Sequence, residues 1–456
     1  MSKEPRLQPK PMSRLKYSAL WATRDISWNA AIAFFAYTTF FATDVMHISA
    51  TTVGIIMIVS KIIDSGTDIL VGYLIDKTNT RWGKARPYEI AIIGYWGVGM
   101  LLYMAPLGSM RFLILYFFIM YNIRQDIFST MLACDDPVYY ATSVPDKSWT
   151  PKVLAFKGIA GFIVTAAFGV FLPSMITWAG EDRHSWMVLS LAFGIPFILL
   201  GLVRAMTIPE IRTLEKAERD DFNFFEGLKI VAKNKYIWYY AIAVFFTYFA
   251  YNLQSNSVMY YAKYVLGDGN LGVVITVSAL GGFFVILLQP TMIKKFGMNK
   301  TAMITLGLSL IGYLGRLINP YDPTLQFIFG VIAQCAIMPF WNLINMYLMD
   351  IMDYGEWKIG IRGEGIYAAI FGMSNKFGMA LGMGGAALIP GMFGYDSLLA
   401  QQPQSAVNAI IAMFTWLPFI LVVIALIGLK FYDLDGKIDQ IRVELGENKK
   451  AKESLK

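Results

Sequence analysis

The stretch "KIIDSGTDILVGYLIDKTNTRWGKARPYEI", from Lys61 to Ile90, joins a long apolar run to a short basic loop. With the apolar residues before it, the run covers residues 50–75, and a membrane-spanning helix needs about 20 mostly apolar residues. Four basic residues follow within the loop: Lys77, Arg81, Lys84 and Arg86. Short loops rich in Lys and Arg lie on the cytoplasmic side of a membrane. This stretch therefore predicts a spanning helix that ends in the cytoplasm.

The composition of the whole chain is typical of a membrane protein. Of its 456 residues, 56% are hydrophobic and 16% are charged, whereas a soluble domain carries about 25% charged residues. The formal net charge of +7 arises from basic residues in alternate short loops, which is the usual topology signal of membrane proteins. We therefore expect a lipid bilayer around the protein and no nucleic acid as a partner.

Apolar runs of spanning length recur along the chain and predict an all-α membrane protein. Basic loops alternate with loops poor in basic residues, which predicts cytoplasmic termini and a multi-pass protein of the inner or plasma membrane. Twelve segments qualify as spanning helices: residues 26–43, 50–75, 90–110, 112–134, 158–180, 185–203, 236–262, 269–293, 300–318, 324–349, 365–393 and 401–429.

A charged connection, residues 209–235, divides these segments into six and six. Faint similarity between the halves predicts two pseudo-symmetric six-helix bundles, residues 1–208 and 236–432. The connection is predicted to be a cytoplasmic loop, and residues 433–456 a cytoplasmic tail. Transporters built from such repeats bind their substrate near the bilayer midplane and alternate its access between the two sides.

Ionisable residues inside the second predicted span indicate a cation site. Such residues cost at least ~2.5 kcal/mol each in hydrocarbon, so they are rare and usually functional. Asp64 and Asp68 share one helical face with Thr67, and their oxygens suit Na⁺ or Li⁺ as a bound metal ion. The same carboxylates can instead hold a proton. A salt bridge from Lys61 that only joins helices is the alternative, but two acids against one base leave a surplus negative charge, which favours cation coupling.

Two further acids are candidates for binding sugar hydroxyls. Asp25 follows Arg24 at the start of the first predicted span, and Asp135 begins the motif "DDPVYY". A carboxylate accepts several hydroxyl hydrogen bonds, and the tyrosines of the motif offer aromatic faces. An equally weighted alternative is a polar helix end at the membrane surface, with Pro137 ending the span.

Lys376 lies in the glycine-rich stretch "FGMSNKFGMALGMGG" of the eleventh predicted span. The glycines indicate close helix packing or bending. We expect Lys376 to act as a mobile counter-charge for the acidic pair. The alternative is a fixed partner for one Asp.

Two blocks of the sequence resemble the glycoside–pentoside–hexuronide:cation symporters. One is the stretch Lys61–Ile90 quoted above, and the other is "DIMDYGEWKIGIRGEGIYAAIFGMSNKFGMALG", from Asp350 to Gly382. The resemblance extends over nearly the whole chain. It implies a major-facilitator fold of twelve helices that imports a sugar together with Na⁺, Li⁺ or H⁺.

The resemblance also implies roles for single residues at the cation site. Asp64 and Asp68 match the paired cation-site aspartates of the family, and Lys376 matches a lysine near that site. Thr67 stands where the melibiose carriers of the family have Asn, and Ile69 where many members have Pro. The difference at Thr67 bears on the selectivity for Na⁺, and the difference at Ile69 bears on a local kink in the second helix.

For the sugar site, the resemblance implies roles for residues of three predicted helices. Asp25, preceded by Arg24, and Asp135 match aspartates that bind sugar hydroxyls, and Tyr139 falls where the melibiose carriers have a stacking Trp. An arginine of the fifth helix that helps to bind galactosides is missing here. Lys157 or Lys152 is the expected substitute, which argues against assuming melibiose as the substrate.

Charged residues in the loops suggest cytoplasmic latches that stabilise an outward-open state. In one half these are Asp76, Arg81, Lys84 and Arg86, and in the other Asp353, Glu356, Arg362 and Glu364. An equally weighted alternative is that the basic residues serve topology alone.

The leading prediction is a cation-coupled sugar symporter, and the alternative is a cation-coupled carrier of an amphiphile such as a lysolipid. No metal-ligand spacing, phosphate loop or nucleophile–base pair indicates an enzyme. We expect no cofactor beyond the coupling cation, and a monomer.

Overall fold

The computed structural model describes residues 12–78, 80–144, 149–211, 233–278, 281–359, 364–399 and 401–445. In these ranges the chain forms helices and no β-strand, apart from one isolated bridge between Thr80 and Gly83. The all-α prediction is therefore confirmed. Every segment predicted to span the membrane overlaps at least one of the helices.

Residue contacts group the chain into two units. The N-terminal unit comprises Met1–Glu218 together with Gly394–Gln402. The C-terminal unit comprises Arg219–Phe393 and Pro403–Lys456. Among the described residues, these helical stretches are long and apolar enough to cross a membrane by length and composition: Phe156–Ala179, Arg183–Thr207, Pro323–Lys358 and Gln404–Gly436.

The main α-helices of the N-terminal unit follow one another through short connections. They are α1 (Arg14–Phe35), α2 (Ala50–Lys77), α3 (Ala91–Met104), α4 (Met110–Asn122), α5 (Thr130–Ser143), α6 (Thr150–Ala179) and α7 (Arg183–Thr207). Helix α1 packs against α6 and α7, and α2 packs against α5. A π-helical segment, Ile123–Ser129, joins α4 to α5, and such segments often occur at functional sites.

The C-terminal unit has a core rich in tyrosine. Its α-helices are α8 (Lys235–Tyr264), α9 (Gly272–Ser278), α10 (Gly281–Phe296), α11 (Met298–Gly315), α12 (Pro323–Ile359), α13 (Glu364–Met392), α14 (Gln404–Phe414) and α15 (Trp416–Lys430). Helix α8 packs against α13 and α15, and α11 packs against α12. Tyr240 and Tyr347 are fully buried among these helices.

Side-chain caps fix the first residues of several helices. Ser13, Ser49 and Ser109 each accept a hydrogen bond from a backbone N–H in the first turn of α1, α2 and α4. Asp182 does the same for α7. Such a cap stabilises a helix by about 1 kcal/mol. Because Ser13 begins α1 so early, this helix extends well before the predicted segment 26–43.

Candidate functional site

Seven ionisable side chains lie together inside the N-terminal unit, and each is within 4 Å of an opposite charge. Helices α1, α5, α6 and α7 contribute to this group, and Glu89 comes from the 3₁₀ turn Arg86–Ile90 before α3. The group, called the charge cluster below, consists of Arg24, Asp25, Glu89, Asp135, Asp136, Lys157 and Arg204.

Arg204 is fully buried and connects α7 to two neighbouring elements. Its Nε donates to Oε2 of Glu89 across 2.9 Å, and its Nη2 donates to the other oxygen of the same carboxylate. Its Nη1 donates to Oδ1 of Asp136 across 2.9 Å. The ring of Trp21 covers the guanidinium, with 4.7 Å from Cζ to the ring centroid. Such a two-pronged Arg–carboxylate pair fixes both partners in orientation.

Arg24 connects α1 to α5. Its Nη2 lies 3.4 Å from Oδ1 of Asp135 and donates to the carbonyl oxygen of Leu132. Its Nη1 lies 3.7 Å from Oδ1 of Asp136. Asp135 is fully buried, so this carboxylate lies behind the more exposed members of the cluster.

Lys157 and Asp136 form the exposed edge of the charge cluster. The Nζ atom of Lys157 lies 2.5 Å from Oδ2 of Asp136 and 3.2 Å from Oδ1 of Asp25. The side chains of Lys157 and Asp136 are 34% and 19% exposed, whereas that of Asp25 is 3% exposed. This edge therefore offers carboxylate acceptors and an ammonium donor side by side.

The cluster explains how apolar helices carry so many charges. Each isolated ion would cost several kcal/mol inside the protein, and mutual pairing offsets that cost only when the geometry is good. Here the bases contact carboxylates on other helices, so the cluster also ties α1, α5, α6 and α7 together. Retaining seven ionisable groups in this position is more than packing alone requires.

Residues predicted near the ends of spans lie within helices instead. Arg24 and Asp25 are in the middle of α1, and Pro137 lies inside α5. Helix α5 continues to Ser143 and therefore does not end at Pro137. A proline within a helix is tolerated in a membrane protein because neighbouring groups satisfy the freed backbone carbonyl.

Tyr139, predicted to be a stacking residue, is fully buried. Its ring stacks on Trp21 with centroids 5.4 Å apart, and its hydroxyl donates to the carbonyl oxygen of Ile208. Tyr139 therefore packs against Trp21, whose ring covers the guanidinium of Arg204.

A second polar group surrounds Asp64 in the middle of α2. Lys61 Nζ lies 3.2 Å from Oδ2 of Asp64, and Thr130 of α5 donates from Oγ1 to Oδ1 across 2.9 Å. The Thr67 hydroxyl donates to the backbone carbonyl oxygen of Asp64 across 2.9 Å. The backbone of Asp68 is part of α2, but its side chain lies outside the described residues.

The polar group continues into the π-helical segment before α5. Ser60 of α2 donates to both oxygens of Asp126, at 3.3 and 3.2 Å. Arg124, also buried, donates to the hydroxyl of Tyr95 across 2.9 Å. Asp126 and Thr130 therefore bring oxygens from a second element towards the face of α2 that carries Asp64.

Comparison with known proteins identifies the family. Residues 27–436 match the family described as MFS/sugar transport protein. The chain belongs to this family. It is therefore a membrane transporter of the major facilitator type and not an enzyme.

Relatives of this sugar transporter are similar along nearly its whole length. The isoprimeverose transporter of Lactiplantibacillus pentosus is 27% identical over 450 residues, which cover 95% of this chain and 91% of that protein. The glucuronide carrier protein homolog of Escherichia coli (strain K12) is 24% identical over 466 residues, covering 94% and 95%. The crystal structure of a D-xylose-proton symporter shares the fold, with a TM-score of 0.57, 16% identity and coverage of 93% and 98%.

The loop that carries the predicted latch residues of the first half is held by Glu210. Its carboxylate accepts hydrogen bonds from the backbone N–H groups of Lys84, Ala85 and Arg86, at 2.9, 2.7 and 2.6 Å. The Arg86 side chain donates from Nε to the carbonyl oxygen of Ala205 across 2.6 Å. Arg81 is exposed, and the side chain of Asp76 lies outside the described residues.

Two of the predicted latch residues of the second half, Asp353 and Glu356, lie near the end of α12. Asp353 accepts from Nε of Arg442 across 2.9 Å, and Asp350 accepts from Nη2 of the same guanidinium across 2.8 Å. Arg442 belongs to helix 438–445 of the predicted cytoplasmic tail. Glu356 is half-buried, whereas Arg362 and the side chain of Glu364 lie outside the described part of the chain.

The same tail is fixed at its start by Asp433. Hydrogen bonds from Lys437 and Tyr236 lower the pKa of Asp433 to about 2. This carboxylate therefore stays ionised at any physiological pH.

Lys376, the predicted counter-charge, is a half-buried residue of α13 in the C-terminal unit. The same unit contains an aromatic feature that the sequence did not single out. Trp341 stacks on Tyr248 with centroids 4.7 Å apart, and its buried Nε1 has no hydrogen-bond partner among the described residues.

Residues that sequence reasoning missed complete both polar groups. Glu89 and Arg204 join the charge cluster, and Thr130 contacts Asp64. The sequence did contain a signal for both charged residues. Glu89 directly precedes the predicted segment 90–110, and Arg204 directly follows the predicted segment 185–203. Thr130 had no such signal, because hydroxyl groups are common in spanning helices.

Proposed function

We propose that the transporter imports a sugar by symport with Na⁺, Li⁺ or H⁺, through alternating access of two six-helix bundles. The observation that carries the proposal is the position of Asp64, a buried carboxylate of α2 that is bonded to Thr130 of α5. Membership of a sugar-transport family supports a sugar as the cargo, as does the isoprimeverose transporter among its relatives. The protein acts as a monomer with both termini in the cytoplasm.

Asp64 and Asp68 bind the cation in this proposal. The Thr67 hydroxyl, which already donates to the backbone of Asp64, keeps lone pairs that a cation can use. Lys61 pairs with Asp64 when the cation is absent. Cation entry replaces that pairing, and Lys376 supplies a second counter-charge.

The sugar binds at the exposed edge of the charge cluster. Asp136 and Asp25 accept hydrogen bonds from its hydroxyls, and Lys157 donates to its oxygens. Arg24, Asp135 and Tyr139 lie behind this edge and hold it in position. Water is excluded from that inner layer because the side chains are buried.

Helix α5 links the two sites. It carries Thr130, which contacts Asp64, and Asp135, which contacts Arg24. They are five positions apart in the sequence, so the two contacts lie roughly 7.5 Å apart along the helix. A cation that changes the bond between Thr130 and Asp64 therefore shifts α5 at the charge cluster. Linkage then requires that the sugar raise the cation affinity by the same factor.

The cytoplasmic latches form a further part of the proposal. The basic residues Arg81, Lys84 and Arg86 act with Asp76 in one half, and Asp353, Glu356, Arg362 and Glu364 act in the other. The latches stabilise the outward-open state. Glu210 supports the first set because it fixes the backbone of the loop.

Uptake into vesicles tests the proposed function. Radiolabelled glycosides, pentosides and hexuronides are offered to proteoliposomes under imposed Na⁺, Li⁺ or proton gradients. We expect accumulation of at least one sugar above equilibrium under one of these gradients. If a correctly inserted protein accumulates no sugar, sugar symport is wrong, and competition assays with lysolipids then test the amphiphile carrier.

A further inference from the structure

Few members of the charge cluster are exposed to solvent. Only Lys157 and Asp136 have side chains that are more than a few per cent exposed. The side chains of Arg24 and Arg204 are 3% and 0% exposed, and their guanidinium groups face carboxylates. No guanidinium of the cluster therefore presents an open fork to a ligand.

The cluster has more acids than bases. Its carboxylates are Asp25, Glu89, Asp135 and Asp136, and its bases are Arg24, Lys157 and Arg204. The four carboxylates therefore outnumber the three bases by one. Lys157, the accessible base, already contacts two carboxylates, at 2.5 and 3.2 Å.

We propose that this cluster selects an uncharged, polyhydroxylated sugar over the matching hexuronide, and that Asp136 sets this preference. The inference rests on the proposed sugar symport and names the substrate class of the same site. A hydroxyl both donates and accepts, so it can bridge the carboxylate of Asp136 and the ammonium of Lys157.

A hexuronide carries a carboxylate where the neutral sugar carries a hydroxymethyl group. That carboxylate would lie beside the partly exposed carboxylate of Asp136, and like charges placed together disfavour binding. The accessible base, Lys157, already pairs with the charges of Asp136 and Asp25, so it is a poor partner for the charge of a third carboxylate. Asp136 is the accessible acid, so its charge is the one that a substrate carboxylate meets first.

Matched sugar pairs test this inference. The probes are methyl β-D-glucoside with methyl β-D-glucuronide, methyl β-D-galactoside with methyl β-D-galacturonide, and methyl β-D-xyloside as a further neutral sugar. Each is offered to proteoliposomes under the cation gradients described above. We expect uptake of a neutral member to exceed that of its uronide by about tenfold or more, since like-charge contacts cost several kcal/mol.

Removing the charge of Asp136 should weaken the preference. We expect Asp136→Asn to lower the ratio of neutral-sugar uptake to uronide uptake by about tenfold, because the cluster then has equal numbers of acids and bases. Asp136→Ser makes the same charge change if the amide variant does not insert. Asp182→Asn, on an exposed acid at the start of α7, is the matched control and should leave the ratio unchanged.

The outcomes separate the inference from the proposed function. Gradient-driven uptake of a uronide equal to or above that of its neutral partner overturns the inference and leaves symport standing. An unchanged ratio in both Asp136 variants overturns the role of Asp136. If the protein takes up neither these probes nor any other sugar, the proposed function is overturned, and the inference with it.

Discussion

Thr130 donates a hydrogen bond from Oγ1 to Oδ1 of Asp64 across 2.9 Å, and this bond joins α5 to α2. The remaining oxygen of Asp64 faces Lys61, at 3.2 Å. Both oxygens of a buried carboxylate are thereby held in a defined orientation. A carboxylate fixed in this way is pre-organised for a ligand, because less side-chain freedom is lost when the ligand binds.

Thr130→Val should weaken the cation dependence of transport. The valine keeps the shape but cannot donate to Asp64, and a hydrogen bond to a charged group contributes about 1.5–3 kcal/mol. We expect the cation concentration for half-maximal sugar uptake to rise about tenfold. Thr130→Ser keeps the hydroxyl and should stay near the parent value. A valine variant with the parental cation dependence would show that this bond has no part in coupling.

Arg204→Met should destabilise the N-terminal unit strongly. Glu89 then loses both donors of its buried partner, and breaking such a pair costs about 3–5 kcal/mol. Thermal unfolding in detergent measures the effect. The double variant Arg204→Met with Glu89→Gln should recover part of the loss, because no buried charge is then left alone at that position.

Arg183→Met is the matched control for Arg204→Met, because both arginines belong to α7. Arg183 donates to the carbonyl oxygen of Pro106 across 3.3 Å and has no place in the charge cluster. We expect a loss of about 1 kcal/mol or less, because this single bond is long and only partly buried. Equal losses for Arg183→Met and Arg204→Met would contradict a special role for the buried cluster.

Glu210→Ala should release the loop between α2 and α3. Three backbone N–H groups lose their acceptor in this variant, and a hydrogen bond to a charged group contributes about 1.5–3 kcal/mol. Limited digestion with trypsin measures the change, since Arg81 and Lys84 are potential cleavage sites. We expect cleavage there to become several-fold faster, with Glu210→Gln intermediate. Cleavage at the parental rate would mean that other contacts hold the loop.

The sequence predicted much of the fold and part of the site. Apolar runs of spanning length located the helices, because a long helix in lipid needs apolar side chains over its whole length. Asp25, Asp135 and Lys157 were predicted as parts of one site, and the structure brings them into the same cluster. These residues are far apart in the sequence, so their proximity cannot be derived from spacing. The resemblance to a family implied that they belong to one site.

The remaining residues were missed for a physical reason. Hydropathy counts each residue alone, so the predicted segments ended beside Glu89 and Arg204. In the folded protein these two side chains neutralise each other, and the helix and turn that carry them remain buried. Neither the partner of a charge nor a hydroxyl such as that of Thr130 can be read from the local sequence, because the partner comes from another helix.

The central claim is that Asp64 couples the cation gradient to sugar uptake. The most direct test compares the parent and Asp64→Asn in proteoliposomes, with two assays on the same sugar: accumulation under a cation gradient and exchange of labelled for unlabelled sugar without one. We predict that Asp64→Asn loses accumulation and retains exchange, since the sugar site is separate. Accumulation by Asp64→Asn at the parental level would contradict the account.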